Sequence, residues 1–371
     1  MKRILIISGD ISGDMHASRI MANLNARFGD IEFIGIGGEN MIAQGLHSLV
    51  DFSEITVMGF WEVIKKVNLF LKLKKEIKHI IENSKIDLFL PVDYPGFNLE
   101  IAKIAKKNNV PVVWFIAPQL WAWGKDRAKK LQNNLDELLC VLPFEEAFFQ
   151  EYSIDAKYVG HPLIESIGYD VIPKTFEERE DRILIMPGSR KQEIKMHLPL
   201  ILDWAKEFKQ NNHKYDLVFA LPNHIRQFVT EHYPEIKQYE ISYDSRELMK
   251  QVKFGIIKSG TANLEATLLG LPFIMFYKTS HFNYFVGIRM VNVGDFSITN
   301  ILANKKVIPE LIQNDFNKKN LNFAVDNLIN NLDYYRETQS NFTQIKQILT
   351  DKRASYIVSE EVMKYLNKQS R

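Results

Sequence analysis

The chain has 371 residues, 46% of them hydrophobic and 25% charged, with a formal net charge of +2. That is enough chain for two domains with two cores, and too mild a charge to argue for a nucleic-acid partner. The single cysteine, Cys140, lies in an apolar run, so no disulfide forms within the chain and a reducing compartment is expected.

Met1-Lys2-Arg3 and the run Ile4–Ile7 read as a first β-strand rather than a leader, because Gly9, Asp10, Ser12, Gly13 and Asp14 break the run at once. No apolar stretch reaches the ~20 residues of a spanning helix, so a soluble or peripheral, cytoplasmic protein is expected. A helix through about Phe28 follows, then strand Glu32–Ile36 and the turn Gly35-Gly37-Gly38. Further strands are expected at Asp87–Leu90, Pro111–Phe115 and Leu138–Leu142, with helices at Leu99–Asn108 and Phe144–Tyr152. Gly168–Asp181 is polar and without apolar period, which suits a linker. The pattern then restarts, since Asp181-Arg182-Ile183-Leu184-Ile185-Met186-Pro187-Gly188 echoes Lys2–Gly9. Alternating strands and helices predict α/β architecture with parallel, doubly wound sheets. Two such halves, facing across a cleft, are expected to bind ligand outside the carboxyl ends of their strands. The expected division is residues 1–168, residues 169–335 and a helical segment 336–371.

Three loops at strand ends carry the candidate chemistry. After the first strand come Asp10, Asp14 and His16, with Gly9 and Gly13 allowing a tight bend. Asp14 suits a helix cap, which leaves Asp10 as the better functional candidate. Asp93 ends another strand, and Pro95 keeps Tyr94 out of helical geometry, so a carboxylate here could act as general base or as a turn former. In the second half, Lys258-Ser259-Gly260-Thr261-Ala262-Asn263-Leu264-Glu265 reads as strand, glycine turn and helix. Ser259, Gly260 and Thr261 would present N–H groups to an anion, with Thr261 as cap. Glu265, about one turn on, could accept from two vicinal hydroxyls. Arg190 in Met186–Ile194 could fork onto the same diphosphate. The chain lacks an Asp-x-Asp pair, a phosphate-binding Gly-Lys loop and a His-Glu-x-x-His pair, and its nine histidines show no ligand spacing. No metal and no cofactor are expected. His161, before Pro162, suits a structural or pocket-lining place.

Phe60–Ile81 has Phe60, Val63, Ile64, Val67, Phe70, Leu71, Ile77 and Ile81 on one helical face, and Leu69, Leu73 and Ile80 on the other, among Lys65, Lys66, Lys72, Lys74, Lys75 and Lys78. Such a helix either meets acidic lipid heads or lies between two layers. Trp121 and Trp123 could line a lipid groove or a core.

Ser8–His16, Val57–Val63, Asp93–Asn98, Pro118–Trp123, Val159–Pro162, Pro187–Arg190, Ser259–Glu265 and Ile308–Gln313 follow the order seen in the lipid-A-disaccharide synthase family, which the chain resembles over essentially its whole length. The resemblance implies a GT-B fold of two Rossmann-like domains with C-terminal helices. It implies an inverting hexosyltransferase that joins UDP-2,3-diacylglucosamine to 2,3-diacylglucosamine 1-phosphate, giving a β-1,6-linked disaccharide 1-phosphate and UDP. It implies catalytic roles for Asp93, Asp10 and Arg190, and UDP contacts from Arg190, Ser259, Gly260, Thr261, Glu265 and Asn300. Acyl-chain or membrane contacts are expected of Phe60, Trp61, Leu69, Leu73, Lys72 and Lys74. The resemblance also implies anionic lipid at the inner membrane of a Gram-negative bacterium and a homodimer with exchanged C-terminal helices. The family commonly has Glu at Asp10 and Gly at Ala17. A sugar-nucleotide 2-epimerase of the same plan and a non-catalytic lipid-binding protein are the competing readings.

Overall fold

The computed structural model describes residues 1–56, 66–121, 128–280 and 295–368. Two compact units divide the chain. The first is Met1–Glu165 with Leu349–Arg371, and the second is Ser166–Ile348. The helical segment expected from residue 336 is therefore split, because helix Leu332–Thr350 buries Tyr335, Phe342 and Ile345, which precede the crossing.

The first unit is built on seven strands: β1 (Lys2–Ser8), β2 (Ile31–Ile36), β3 (Leu46–Ser48), β4 (Leu88–Val92), β5 (Val113–Phe115), β6 (Glu137–Cys140) and β7 (Ala156–Tyr158). They form one parallel sheet in the order β3-β2-β1-β4-β5-β6-β7. Continuous apolar runs such as Ile4–Ile7 and Leu88–Leu90 are fully buried, as a parallel sheet covered on both faces demands. Helix α1 (Ile11–Phe28) covers one face and is itself covered by the last helix, Ala354–Lys368. Asn23 donates to Ser355 Oγ at 2.9 Å, and Arg27 pairs with Glu360 at 2.6 Å while lying over the Tyr356 ring.

The second unit has six strands: β8 (Glu180–Met186), β9 (Asp216–Ala220), β10 (Glu240–Ser242), β11 (Val252–Lys258), β12 (Phe273–Tyr277) and β13 (Glu310–Ile312). Their parallel order is β10-β9-β8-β11-β12-β13. The stretch before β8 is not wholly a solvated linker. Arg179 is buried and donates to the carbonyls of Met249, Val252, Leu269 and Gly270, tying the start of β11 and the turn before β12 to one guanidinium.

Each sheet has a topological switch point where chain order reverses direction, between β1 and β4 in the first unit and between β8 and β11 in the second. Ligands of open parallel sheets bind beside such points. Ser8 is in register with Val92, and Ile257 with Met186, so the loops carrying Asp10 and Asp93 leave adjacent strand ends, as do those carrying Arg190 and Ser259.

Candidate functional site

In the first unit, Asp10 and Asp93 flank the switch point, with different burdens. Helix α1 starts at Ile11, so Asp10 and not Asp14 is its N-cap. The Asp10 carboxylate accepts from Gly13 N at 2.6 Å and Ser12 Oγ at 3.1 Å. Asp14 is buried and accepts from the N–H groups of Gly38 at 2.7 Å and Met41 at 3.1 Å, and from Asn40 Nδ2 at 2.8 Å. The expected roles of the two aspartates are thus corrected. The helix begins nearly a turn earlier than the glycines suggest, and Asp14 holds the loop after β2. Gly9 and Gly13 serve close approach rather than an unusual turn. A Cβ on Gly9 would lie 2.2 Å from the Tyr94 ring, and one on Gly13 would lie 2.5 Å from Ser8 Oγ.

Asp93 and Tyr94 both stand in the left-handed region, at φ 49° and 51°. Two successive non-glycine residues there store strain of about 1–3 kcal/mol each. Asp93 N donates to Phe115 O, and the buried Asn98 amide donates to Asp93 O at 2.8 Å and Ile7 O at 3.3 Å, so the ends of β1, β4 and β5 hold the strained pair. Burial pushes the Asp93 carboxyl up to about 6, and the neighbouring Asp10 charge pushes the same way.

His16 feels the Asp10 charge, His161 feels His16, and Glu145, which sequence reasoning missed, feels Asp93. His16 is buried, its Nδ1 has no hydrogen-bond partner, and burial with the nearby Arg19 charge holds it down to about 4. His161 accepts from Leu163 N through Nδ1, and burial followed by His16 lowers it to about 3. Glu145 is 1% exposed and pushed up to about 7 by burial, although Trp121 Nε1 and the N–H groups of Leu142 and Val141 donate to it. Trp121 is therefore a core residue anchored by Glu145 and packed edge-on to Phe144, not a groove aromatic. Trp123 lies outside the described residues. For Glu145 the available signal was a carboxylate at the end of the apolar run Leu138–Phe144.

In the second unit Glu193 organises the switch-point loops. Its carboxylate accepts from Ser189 N at 2.9 Å and Arg190 N at 3.3 Å, and pairs with Lys258 Nζ at 2.9 Å. Burial opposes its ionisation, yet Lys258 and these donors hold its carboxyl below the usual range. Gly188 lies at φ 134° directly against the Glu193 side chain, where only glycine fits. Arg190 is the N-cap of helix Lys191–Asn211. Its guanidinium is 71% exposed and 3.9 Å from Glu193, so it can turn to an incoming anion. The buried His197 donates from Nδ1 to Pro187 O at 2.8 Å, and its Nε2 accepts from Lys278 N, which joins the loop after β8 to the one after β12.

The glycine turn differs from expectation in detail. Gly260, not Thr261, is the N-cap of helix Thr261–Leu268. Ser259 N donates to Phe276 O, and Gly260 N to Asn263 Oδ1. These two N–H groups are used inside the fold, and the helix's first turn leaves the N–H groups of Thr261 and Ala262 without intrahelical acceptors beside the exposed Thr261 hydroxyl. Glu265 sits one turn on, 16% exposed, and pairs with Arg246. Asn300 is corrected from a contact to a support. It is fully buried, its amide donates to Ile308 O and Glu310 Oε1, and it accepts from Val307 N and Ile308 N. All four of its hydrogen-bonding positions are thereby occupied.

Helix Val67–Asn83 carries the lysine-rich stretch, and its faces are displaced from the expected ones. Leu73, Ile77 and Ile81 are buried, with Leu69, Phe70 and Ile80 packed against the same core. Leu73 is thus a core residue and Leu69 faces the core. The outward apolar side chains are Val67, 46% exposed, and Leu71, 59% exposed. Lys72 is exposed, and Lys74 pairs with Glu100 at 2.7 Å. Phe60 and Trp61 lie outside the described residues. Among the described residues no helix is long and apolar enough to cross a membrane.

The folding pattern and the sequence have known counterparts. A solved S. aureus MnaA–UDP complex matches with a TM-score of 0.68 at 14% identity, covering 100% of this chain and 98% of that one. The calicheamicin glycosyltransferase CalG4 matches at 0.64 and 12% identity, covering 100% of both chains. At such identities the likeness shows the fold, which is GT-B. Sequence relatives are far nearer. Lipid-A-disaccharide synthase of Myxococcus xanthus is 35% identical over 322 residues, covering 84% of each chain. Lipid-A-disaccharide synthase 1 of Legionella pneumophila is 31% identical over 362 residues, covering 95% of this chain and 94% of that one. The family model described as Lipid-A-disaccharide synthetase matches residues 4–361, so all the strand-end loops described above fall within it, and the chain belongs to the lipid-A-disaccharide synthase family.

Proposed function

We propose that this glycosyltransferase joins the two acylated glucosamines by direct displacement, with Asp93 as general base. The acceptor 6-hydroxyl loses its proton to Asp93 while its oxygen bonds to the donor anomeric carbon. The bond from that carbon to the diphosphate oxygen breaks, the centre inverts, and UDP leaves with the electron pair. A base must be ionised yet basic near working pH, and a carboxyl raised to about 6 meets both needs. That observation carries the assignment, since Asp10 is committed to capping α1. The Asp10 charge raises the basicity of Asp93. Arg190 and the helix N-terminus at Thr261–Ala262 take the diphosphate charge, and Glu265 takes the ribose diol.

The exposed Val67 and Leu71 beside Lys72 and Lys75 support contact with anionic lipid heads at the inner membrane. A homodimer with exchanged C-terminal helices would seat Ala354–Lys368 on α1 of a second copy. Sedimentation of the purified protein tests this.

The deciding assay follows UDP release and lipid products in detergent micelles, with and without the monosaccharide 1-phosphate. UDP and disaccharide that appear only with acceptor are expected. Donor isomerised without acceptor would install the epimerase reading. Asp93→Asn should keep UDP binding and lose ~10²–10⁴-fold in turnover, and full turnover would remove Asp93 from the base role.

A further inference from the structure

We infer that Arg246 is a positioning residue for the nucleotide ribose, acting through Glu265; this rests on Glu265 as the ribose acceptor proposed above. Arg246 is the second residue of the helix Ser245–Gln251, which is capped by Asp244 through Glu247 N. Its guanidinium is held at two points. Nη1 donates to Ser166 O at 3.1 Å, and Nη2 donates to Glu265 Oε1. A planar fork gripped at one end by a main-chain carbonyl has little freedom at the other, so it fixes the plane of the carboxylate it meets. Glu265 Oε2 has no hydrogen-bond partner among the described residues, and the side chain is 16% exposed. One carboxylate oxygen is therefore tethered, while the other is open beside the helix N-terminus that would take the diphosphate. A carboxylate has about four acceptor positions, so one bond from Arg246 leaves room for two hydroxyls. Without the tether the glutamate would sample several rotamers and meet the diol in a fraction of them.

The same contact could be a plain surface ion pair, so the test must report on the ribose itself. The Kd of UDP and of 2′-deoxy-UDP is measured calorimetrically on the full chain. The variants are Arg246→Gln, Arg246→Lys, Glu265→Gln and the Arg246→Gln/Glu265→Gln double variant, each checked for folding by circular dichroism. Wild type should bind UDP about tenfold tighter than 2′-deoxy-UDP, the weight of one good hydrogen bond to a charged group. In Arg246→Gln, UDP should weaken about tenfold, 2′-deoxy-UDP should weaken less, and their ratio should approach one. The double variant should be no weaker than Glu265→Gln within about twofold, because coupled residues are not additive. Arg246→Lys keeps the charge without the fork and should restore only part of the discrimination. Equal weakening of both nucleotides by Arg246→Gln, or an unchanged ratio while Glu265→Gln abolishes it, would overturn the role of Arg246 and leave Glu265 on the ribose. A wild type that does not distinguish the two nucleotides would overturn the ribose reading of Glu265, and the inference with it.

Discussion

Asp93→Asn should inactivate the enzyme and stabilise it. The carboxyl titrates at about 6 in the fold against an ordinary value of 3.8, so the fold favours its neutral form. The sign follows from linkage. Below about pH 3.8 the residue is protonated in both states and costs nothing. As pH rises towards 6 the unfolded chain ionises first and folding loses free energy, and above 6 the loss is constant. The difference of about two pH units corresponds to about 3 kcal/mol at pH 8 and roughly half that at pH 5. Asparagine removes the ionisation, accepts the same hydrogen bonds and tolerates the left-handed backbone at φ 49°. The gain in Asp93→Asn should therefore be about 3 kcal/mol at pH 8 and shrink to roughly 1.5 kcal/mol at pH 5. With two folding units a global melt would mix signals, so urea-dependent hydrogen exchange of the β1 and β4 amides is the suitable measurement. A variant no more stable than wild type at pH 8, or a gain identical at both pH values, would refute the reasoning that burial and Asp10 load this carboxyl.

For wild type, kcat/KM should fall about tenfold per pH unit below about 6, where Asp93 takes up its proton. In Asp10→Asn, which still caps α1, that acidic limb should move to lower pH because one of the two raising causes is gone. Gly9→Ala sets a methyl group 2.2 Å from the Tyr94 ring, so Tyr94 must move and carry Asp93 with it. Turnover should drop at least about tenfold while UDP affinity stays, because misplacing a catalytic group by about an ångström costs that much or more. Asn300→Ala strands the N–H groups of Val307 and Ile308 and should cost about 3 kcal/mol of stability in the second unit. The UDP Kd of its folded fraction should stay within about threefold, and a selective loss of UDP binding with intact stability would return Asn300 to the contact list.

Much of the fold was legible because parallel strands covered on both faces read as unbroken apolar runs, as at Ile4–Ile7, Leu88–Leu90 and Phe273–Phe276. The three-residue edge strands β3, β7, β10 and β13 carry too few residues to show a period, and none stood out. Strand-end loops could be ranked as ligand positions for the same topological reason. What failed was local phase. Placing the start of α1 a few residues late exchanged the duties of Asp10 and Asp14. Reading Phe60–Ile81 as one helix rotated its faces, whereas the described helix begins at Val67 and buries Leu73. Partnerships across distant sequence were invisible. Nothing near Arg246 announces Glu265, nothing near Glu193 announces Lys258, and only the strand order brings them together.

The last helix, Ala354–Lys368, lies on α1 and completes the first unit, although the whole second unit separates them in the chain. A nascent chain emerging from a ribosome thus meets an order that its numbering conceals. The second unit, contiguous from Ser166 to Ile348, can close while synthesis continues. The first cannot cover the outer face of α1 until its final residues are made. Until then chaperones have a claim on the first unit, and a truncation that removes Ala354–Lys368 should be felt at α1, more than 300 residues earlier in the chain.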